Sequence, residues 1–419
     1  DALTVIEGLA RAATPGLVAS PGPRYFGFVV GGSQPATVAA DWLTSAWDQM
    51  AAMYVSSPAS SIIEELAARW VLEVTGLPAG SGVGFTTGAT MANLTGLAAG
   101  RSAVLDAAGW DVEANGLQGA PTVRVIVGDE VHTTVPYALR LIGLGGKTAI
   151  RVPVDGNGAM RADALRDVLR SGGGPTIIAA QAGNVNTGAF DPLDDIADLA
   201  QEAGAWLHVD GAFGFWAIAS PRFRHLTKGM ERADSWTTDA HKWLNVPYDC
   251  GIAIVADPKW QQRAMTMTAA YLIAADRERD SYDWVPDASR RNRGTTVYAA
   301  LRTLGRHGLA ELVERTCALA SRFAERLAAG PAIRILNEVV LNQVLVRFDA
   351  ADAADTAAGD ARTRAVIAAV QRDGTMWAGG TTWHGLAAMR ISVSNWRTTE
   401  DDVDQSVEAI LRASRANPS

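Results

Sequence analysis

The chain has 419 residues, 48% of them hydrophobic and 20% charged, with a formal net charge of −8. That length exceeds one ordinary domain and that composition excludes a disordered chain, so a large domain and a smaller one, each with ample core, are expected. The acidic balance excludes nucleic acid and anionic membrane as general partners.

Two cysteines, Cys250 and Cys317, build no disulfide framework and match no zinc-ligand spacing, so no metal is expected and the setting is a reducing, cytoplasmic one. No apolar run approaches the roughly 20 residues of a membrane span. The first residues lack a signal-peptide pattern, and Asp1 is not a natural start. In chain order, residues 1–34 are rich in Gly and Pro around an aromatic stretch, Arg24-Tyr25-Phe26-Gly27-Phe28-Val29-Val30, and read as a loop clamped by its aromatics. Residues 35–53 and 60–74 carry helical apolar spacing, with Ser61 and Glu64 in a capping-box pattern. Gly84 to Asn93 forms a Gly- and Thr-rich turn that runs into an Ala- and Leu-rich helix ending near Arg101. Unpaired N–H groups, hydroxyls and the positive end of the helix dipole suit a phosphate monoester there, although an ordinary helix cap has the same composition. Gly80-x-Gly82-x-Gly84 has the wrong spacing for a dinucleotide fingerprint, which argues against an NAD enzyme.

Residues 123–127 read as a buried strand, and His132 follows just past its C-terminal end, the edge where ligands bind in an α/β sheet. Residues 150–154 and 176–181 are further strands, the second leading to Asn184. Residues 193–203 form an amphipathic helix that returns to a strand ending in Asp210. His208 and His225 read as structural. These repeated strand, helix, strand units predict an α/β fold with a mainly parallel sheet and helices on both faces. The stretch from Asp234 to Leu244 then brings His241 and Lys242, ahead of another apolar run at 251–256. Asp210 and Lys242 at the ends of neighbouring strands can hold an aromatic cofactor from two sides, Lys242 through a Schiff base with an aldehyde and Asp210 by keeping a ring nitrogen protonated. An ordinary ion pair at strand ends uses the same two residue types. Residues 276–284 and 289–294 are densely charged and read as a solvated, mobile surface stretch. From about residue 297 the pattern changes to long helices up to 328, strand-like 342–348 and 389–393, a helix near 361–372 and a last one from Glu400, with 350–359 a loose loop: an α+β domain.

The Asp210 and Lys242 pair, His-Lys-Trp at 241–243 and Tyr-Asp-Cys-Gly at 248–251 resemble the group II pyridoxal 5'-phosphate (PLP) dependent amino-acid decarboxylases, and the similarity runs along nearly the whole chain. This family holds the aromatic-L-amino-acid, histidine and glutamate decarboxylases. The resemblance implies fold type I of the PLP transferases: a segment 1–50 packing at a dimer interface, a large PLP-binding domain 51–296 with a mainly parallel seven-stranded type of sheet, and a small α+β domain 297–419. It implies a homodimer with its active site between subunits, acting as a carboxy-lyase that turns an L-amino acid into its amine and carbon dioxide.

In that resemblance Lys242 is the Schiff-base lysine, Asp210 the partner of the pyridine nitrogen and His132 the residue that stacks on the ring. Ala89, Thr90 and His241 fall at phosphate contacts, and Asn184 and Ala212 at further cofactor contacts. Asn184 stands where many relatives have Thr, and Asp239 where several have Asn. A second anion beside a phosphate is unfavourable unless it points away or bonds backbone, so Asp239 is not assigned to the phosphate. Tyr282 is the best match for a lid tyrosine that donates the proton completing decarboxylation. Phe28, Val29 and Val30 match a segment lining the substrate pocket, an apolar wall that favours an aromatic or branched apolar amino acid over glutamate. Arg390 is a lesser candidate for the substrate carboxylate. Other PLP reactions stay open on this fold: a lyase or aldolase, an aminotransferase, or an oxidative aldehyde-forming enzyme. A non-catalytic binding protein is opposed by the joint presence of Lys242, Asp210 and His132.

Overall fold

The computed structural model describes residues 1–269 and 278–418. Its N-terminal part holds a helix that the Gly and Pro content of residues 1–34 concealed, α1 (Ala2–Ala13), started by Asp1, whose side chain accepts the Thr4 N–H at 2.9 Å. None of its residues is buried. Next, α2 (Pro35–Trp47) stops earlier than the apolar spacing suggested, at Asp48 in the left-handed region (φ 48°). Helix α3 (Pro58–Thr75) begins earlier than expected, because Ser57 rather than Ser61 is its cap and Pro58 occupies the first turn. Glu64 is therefore no capping partner; it lies buried in an ion pair 2.8 Å from Arg290.

Short runs, most of them apolar and one, β6, largely polar, make the large sheet: β1 (Gly82–Thr86), β2 (Arg124–Gly128), β3 (Ile150–Val152), β4 (Thr176–Gln181), β5 (Trp206–Asp210), β6 (Ser235–Asp239) and β7 (Gly251–Val255). Most are covered on both faces, which is why they read as continuous apolar runs without alternation. The strand order is β1-β7-β6-β5-β4-β2-β3. Strands β2 to β6 run parallel, and β7 is antiparallel to both β6 and β1, so β1 points the same way as the parallel set. The C-terminal ends of β1, β2, β4, β5 and β6 consequently share one edge. Helix α4 (Ala89–Ala107) follows β1 and lies across β5, β6 and β7. Its close approach needs two glycines one turn apart: a Cβ on Gly96 would sit 2.8 Å from the His208 ring, and one on Gly100 2.7 Å from the Trp206 ring.

The second sheet is antiparallel, in the order β10-β11-β9-β8, from β8 (Ile333–Ile335), β9 (Gln343–Phe348), β10 (Gly379–Trp383) and β11 (Leu386–Ser392). The helix Thr356–Asp373 covers it and begins inside the stretch expected as a loose loop, because Asp355 accepts the Ala358 N–H at 2.9 Å. The long helix Gly294–Ala328 is shared between the two cores, with Val297, Leu309 and Val313 in the first and Phe323 and Leu327 in the second.

The charged stretch expected as solvated is instead built into the large core where it is described; residues 270–277 at its start lie outside the described residues. The Arg279 guanidinium lies 4.5 Å from the Trp284 ring centroid, Asp280 accepts the Tyr54 N–H at 2.8 Å, and the Tyr282 N–H donates to the Ala52 carbonyl at 3.1 Å. Arg290, besides pairing with Glu64, donates to the carbonyls of Ala51 and Phe85, both at 2.8 Å. Charge density misled here because Arg279 and Arg290 found buried acceptors, Arg279 the Val83 carbonyl and Arg290 those of Ala51 and Phe85 with Glu64.

Candidate active site

Three of the strands that end at the shared edge, β2, β5 and β6, deliver polar side chains at or just past their ends. Past β2 stands His132, whose Nδ1 is 2.8 Å from the Thr134 hydroxyl. Burial holds its pKa below the ordinary histidine range, against the pull of Asp210 and with the support of Lys242 and Arg390. At the end of β5, Asp210 is buried and accepts the Ala212 N–H at Oδ1 and the Asn93 amide at Oδ2, both at 3.0 Å. At the end of β6, Asp239 accepts the Ala89 N–H at 2.6 Å, the first amide of α4, and its other oxygen lies 2.8 Å from Lys242 Nζ. The expected alternative for this residue, bonding to backbone, is thus the one adopted. Next to it, His241 accepts the Cys250 N–H at Nδ1 (3.1 Å), lies 4.2 Å from the Tyr248 ring centroid, and is kept by burial below its ordinary pKa.

These groups surround one cleft. Its end near α4 has a volume of about 270 Å³ and is lined by Thr87 to Thr90, His132, Asp239, His241 and Lys242. Its deeper end is lined by Gln181, Gly183, Val185, Asp210, Phe213 and again Lys242. Ala212 lines both. Among the described residues, no group of His, Cys, Asp or Glu could hold a metal ion.

Five of the expected positions are not brought into this cleft. Asn184 folds its side chain back on its own turn, where Oδ1 accepts the N–H groups of Asn186 (2.8 Å) and Thr187 (3.3 Å); its neighbours Gly183 and Val185 line the cleft instead. Tyr282 is buried in a short 3-10 turn beside Ala52 and lines neither end of the cleft. Phe28 is exposed and stacks on Trp377, with centroids 5.4 Å apart, while Val29 joins the large core. Both occupy left-handed backbone (φ 54° and 58°), a conformation that costs on the order of 1–3 kcal/mol each for such residues. The reason lies just downstream: a Cβ on Gly31 would fall 1.8 Å from the Lys242 carbonyl, and the Gly32 N–H donates to Asn245 Oδ1 at 2.7 Å. The segment supports the lysine turn with its backbone, and its side chains, including half-buried Val30, form no wall of this cleft.

Two contributors escaped sequence reasoning. Asn245 holds the turn after Lys242: it sits at φ 57°, accepts from Gly32 and Trp396, and donates to the carbonyls of Trp243 and Ser394. An Asn just past a lysine in a Trp-Leu-Asn-Val-Pro run is a signal for left-handed backbone. Asn93 reaches Asp210 from the second turn of α4, for which no local signal exists. Arg390, weighed only lightly, donates to the Val185 carbonyl at 2.9 Å, beside the deeper end.

A family model described as the pyridoxal-dependent decarboxylase conserved domain matches residues 1–349. The Acidic amino acid decarboxylase GADL1 of Bos taurus is 30% identical over 325 residues, and the match covers 75% of this chain and 61% of that protein, so the chain spans about three fifths of this relative. The Aromatic-L-amino-acid decarboxylase of Bacillus atrophaeus is 26% identical over 391 residues, 91% of this chain and 79% of that protein. Among solved structures, Oryza sativa TDC with PLP and tryptamine superposes with a TM-score of 0.91 at 25% identity, over 99% of this chain and 88% of that one.

Proposed function

The chain belongs to the pyridoxal-dependent decarboxylases, and from that premise we propose that it is a carboxy-lyase that converts an L-amino acid to its amine and carbon dioxide with PLP held on Lys242. One observation carries this reading: Lys242, Asp210 and His132 converge on a single cleft whose other end is the N-terminus of α4, where Asp239 holds the Ala89 N–H. The residues fit the cofactor. Gly88 itself gives α4 no side-chain cap, and a Cβ there would lie 3.3 Å from His241 and 3.4 Å from Asp239, so the lack of a side chain leaves room for an anion at the first turn, beside the Ala89 amide that Asp239 holds. When bound, PLP supplies the electron sink for the pair released as the bond from Cα to the carboxylate breaks.

The chain's own residues divide the remaining work. Lys242 Nζ is the amine for the cofactor's aldehyde, and Asp239 holds it in place from 2.8 Å. Asp210 accepts two N–H bonds and, with about four lone-pair sites on a carboxylate, can accept a third from a ring nitrogen. His132, whose charged form burial disfavours, lines both ends of the cleft. We further propose an aromatic or apolar substrate side chain; Val185, Ala212 and Phe213 at the deeper end support it, in place of the Phe28 to Val30 segment. A homodimer joined through residues 1–50 is proposed because α1 exposes Leu3, Val5, Ile6 and Leu9, and α2 exposes Trp42 and Trp47. The domain division at 296/297 and a reducing, cytoplasmic setting belong to the same reading, the latter supported by two buried free thiols.

The test is an absorption spectrum of the purified protein with added PLP, followed by amine and carbon dioxide detection against the twenty amino acids. A visible band that borohydride removes from wild type and that Lys242→Ala lacks, with amine formed from aromatic substrates, is the expected result. No band would overturn the reading; a band with aldehyde or keto acid as product would replace decarboxylation by another reaction of the same fold.

A further inference from the structure

Behind Asp210 lies a line of buried polar side chains from three elements: Trp206 and His208 on β5, Ser235 at the start of β6 and Asn93 on α4. Trp206 Nε1 is 2.9 Å from Ser235 Oγ, that hydroxyl is 2.8 Å from His208 Nδ1, and His208 Nε2 is 2.8 Å from Asn93 Oδ1. The Asn93 amide nitrogen then reaches Asp210 Oδ2 at 3.0 Å and the Thr134 hydroxyl at 3.3 Å. Asn93, His208 and Ser235 are fully buried.

The direction of each bond follows from what each atom can do. An indole nitrogen only donates, so Ser235 accepts from Trp206. A carboxylate only accepts, so Asn93 must turn its NH₂ toward Asp210; the reversed amide would set two acceptors face to face. Asn93 Oδ1 therefore faces His208, whose Nε2 must carry the hydrogen, and whose Nδ1 in a neutral ring accepts from the Ser235 hydroxyl. Every donor meets an acceptor, and the order has one sense, Trp206 to Ser235 to His208 to Asn93. At Asn93 it branches, one amide hydrogen to Asp210 and the other toward Thr134, which sits 2.8 Å from His132 Nδ1. Burial pushes the His208 pKa down to about 4, in accord with a neutral ring. Gly96 and Gly100 leave the space that the two β5 rings fill under α4.

We infer that Asn93, His208 and Ser235 are positioning residues of a one-directional hydrogen-bond chain that sets, through the forked amide of Asn93, both the carboxylate of Asp210 and the ring of His132, with His208 fixed as its Nε2–H tautomer. The role in cofactor binding rests on the proposed function; the chain of hydrogen bonds does not. A fully satisfied buried network costs little to keep and confines its members to one arrangement. Loss of the middle member leaves Asn93 free to turn, and Asp210 and His132 lose their common reference.

The experiment has two arms on the full chain. Nitrogen-15 NMR of histidine-labelled wild type is expected to show His208 neutral with its hydrogen on Nε2; an Nδ1–H or doubly protonated ring overturns the inference, and this arm needs no variant to fold. PLP titration followed by absorbance is then compared for wild type, His208→Gln, which keeps a donor to Asn93, and His208→Leu, which removes it. His208→Leu is expected to weaken binding about tenfold or more and to shift the bound absorption band, with His208→Gln restoring both to within about threefold. Equal affinity and an unshifted band in the Leu variant overturn the positioning role. A wild type that binds no PLP overturns the proposed function and the role with it, while the NMR arm still decides the hydrogen-bond chain.

Discussion

Lys242, Asp210 and His132 stand within a few residues of strand ends, and Tyr282 and Phe28 to Val30 lie on irregular segments; only the first set meets in the cleft. The difference lies in what positions each set. Ladder register puts Gln181 opposite Asp210 and Asp210 opposite Thr237, so residues at or just past strand ends inherit fixed neighbours. An irregular segment goes wherever its own contacts draw it. Gly31 is drawn against the Lys242 carbonyl and Tyr282 toward Ala52, and neither contact is visible locally.

Substitutions at the two sets should break or sharpen this contrast. The largest effect is expected at Lys242: Lys242→Ala should remove the borohydride-sensitive band and lower kcat/KM on the order of a thousandfold or more, the scale of losing a nucleophile. Stopped assays on folded protein check it, and a loss below about tenfold would return the residue to a plain ion pair with Asp239. Glu64→Gln leaves the Arg290 guanidinium buried without its carboxylate and should cost about 3–5 kcal/mol in denaturant unfolding, far more than a solvated lid could produce. A cost under about 0.5 kcal/mol would restore the expectation of a mobile surface stretch.

Next comes a pH effect. His208 has an ordinary pKa of 6.5 and a folded value of about 4, so between those values the unfolded chain binds a proton that the folded chain does not. Stability therefore rises with pH through this window and is lost as pH falls, by about 3 kcal/mol in all. The advantage of wild type over His208→Gln, measured by urea unfolding, should shrink by about that amount between pH 7 and pH 4; a constant difference would contradict a buried neutral imidazole. The smallest effect is expected from Tyr282→Phe, with kcat within about threefold of wild type and stability within about 0.5 kcal/mol. A loss of kcat beyond about tenfold, with stability unchanged, would make its hydroxyl a proton donor after all.

The sheet was legible to the degree that its strands are apolar and short. Thr176–Gln181, Leu193–Ala203 and the strand ending at Asp210 fall where the periodicity put them. Where an element depended on one cap, the reading slipped: Ser57 took the place of Ser61, and Asp355 started a helix inside an expected loop. The Gly and Pro of residues 1–34 hid α1, whose apolar residues are exposed in the chain. His208, read as structural, proved structural in a specific sense, as the middle of the line that ends on Asp210.

What the sequence alone determined is that apolar runs such as 123–127, 176–181 and 251–256 become buried strands and which chemistry stands near their ends, because burial of an apolar run is a local pattern and the residue after a strand must emerge at its edge. Strand β1, whose residues 84–86 read as part of a turn, carried no such signal. The tertiary structure decided what those side chains bond to. Asn93 with His208, Glu64 with Arg290 and Asn245 with Gly32 are pairs far apart in the chain, joined by close packing of α4, α3 and the N-terminal segment. Buried hydrogen bonds of this kind obey satisfaction of donors and acceptors in three dimensions, a constraint that no local period in the chain records.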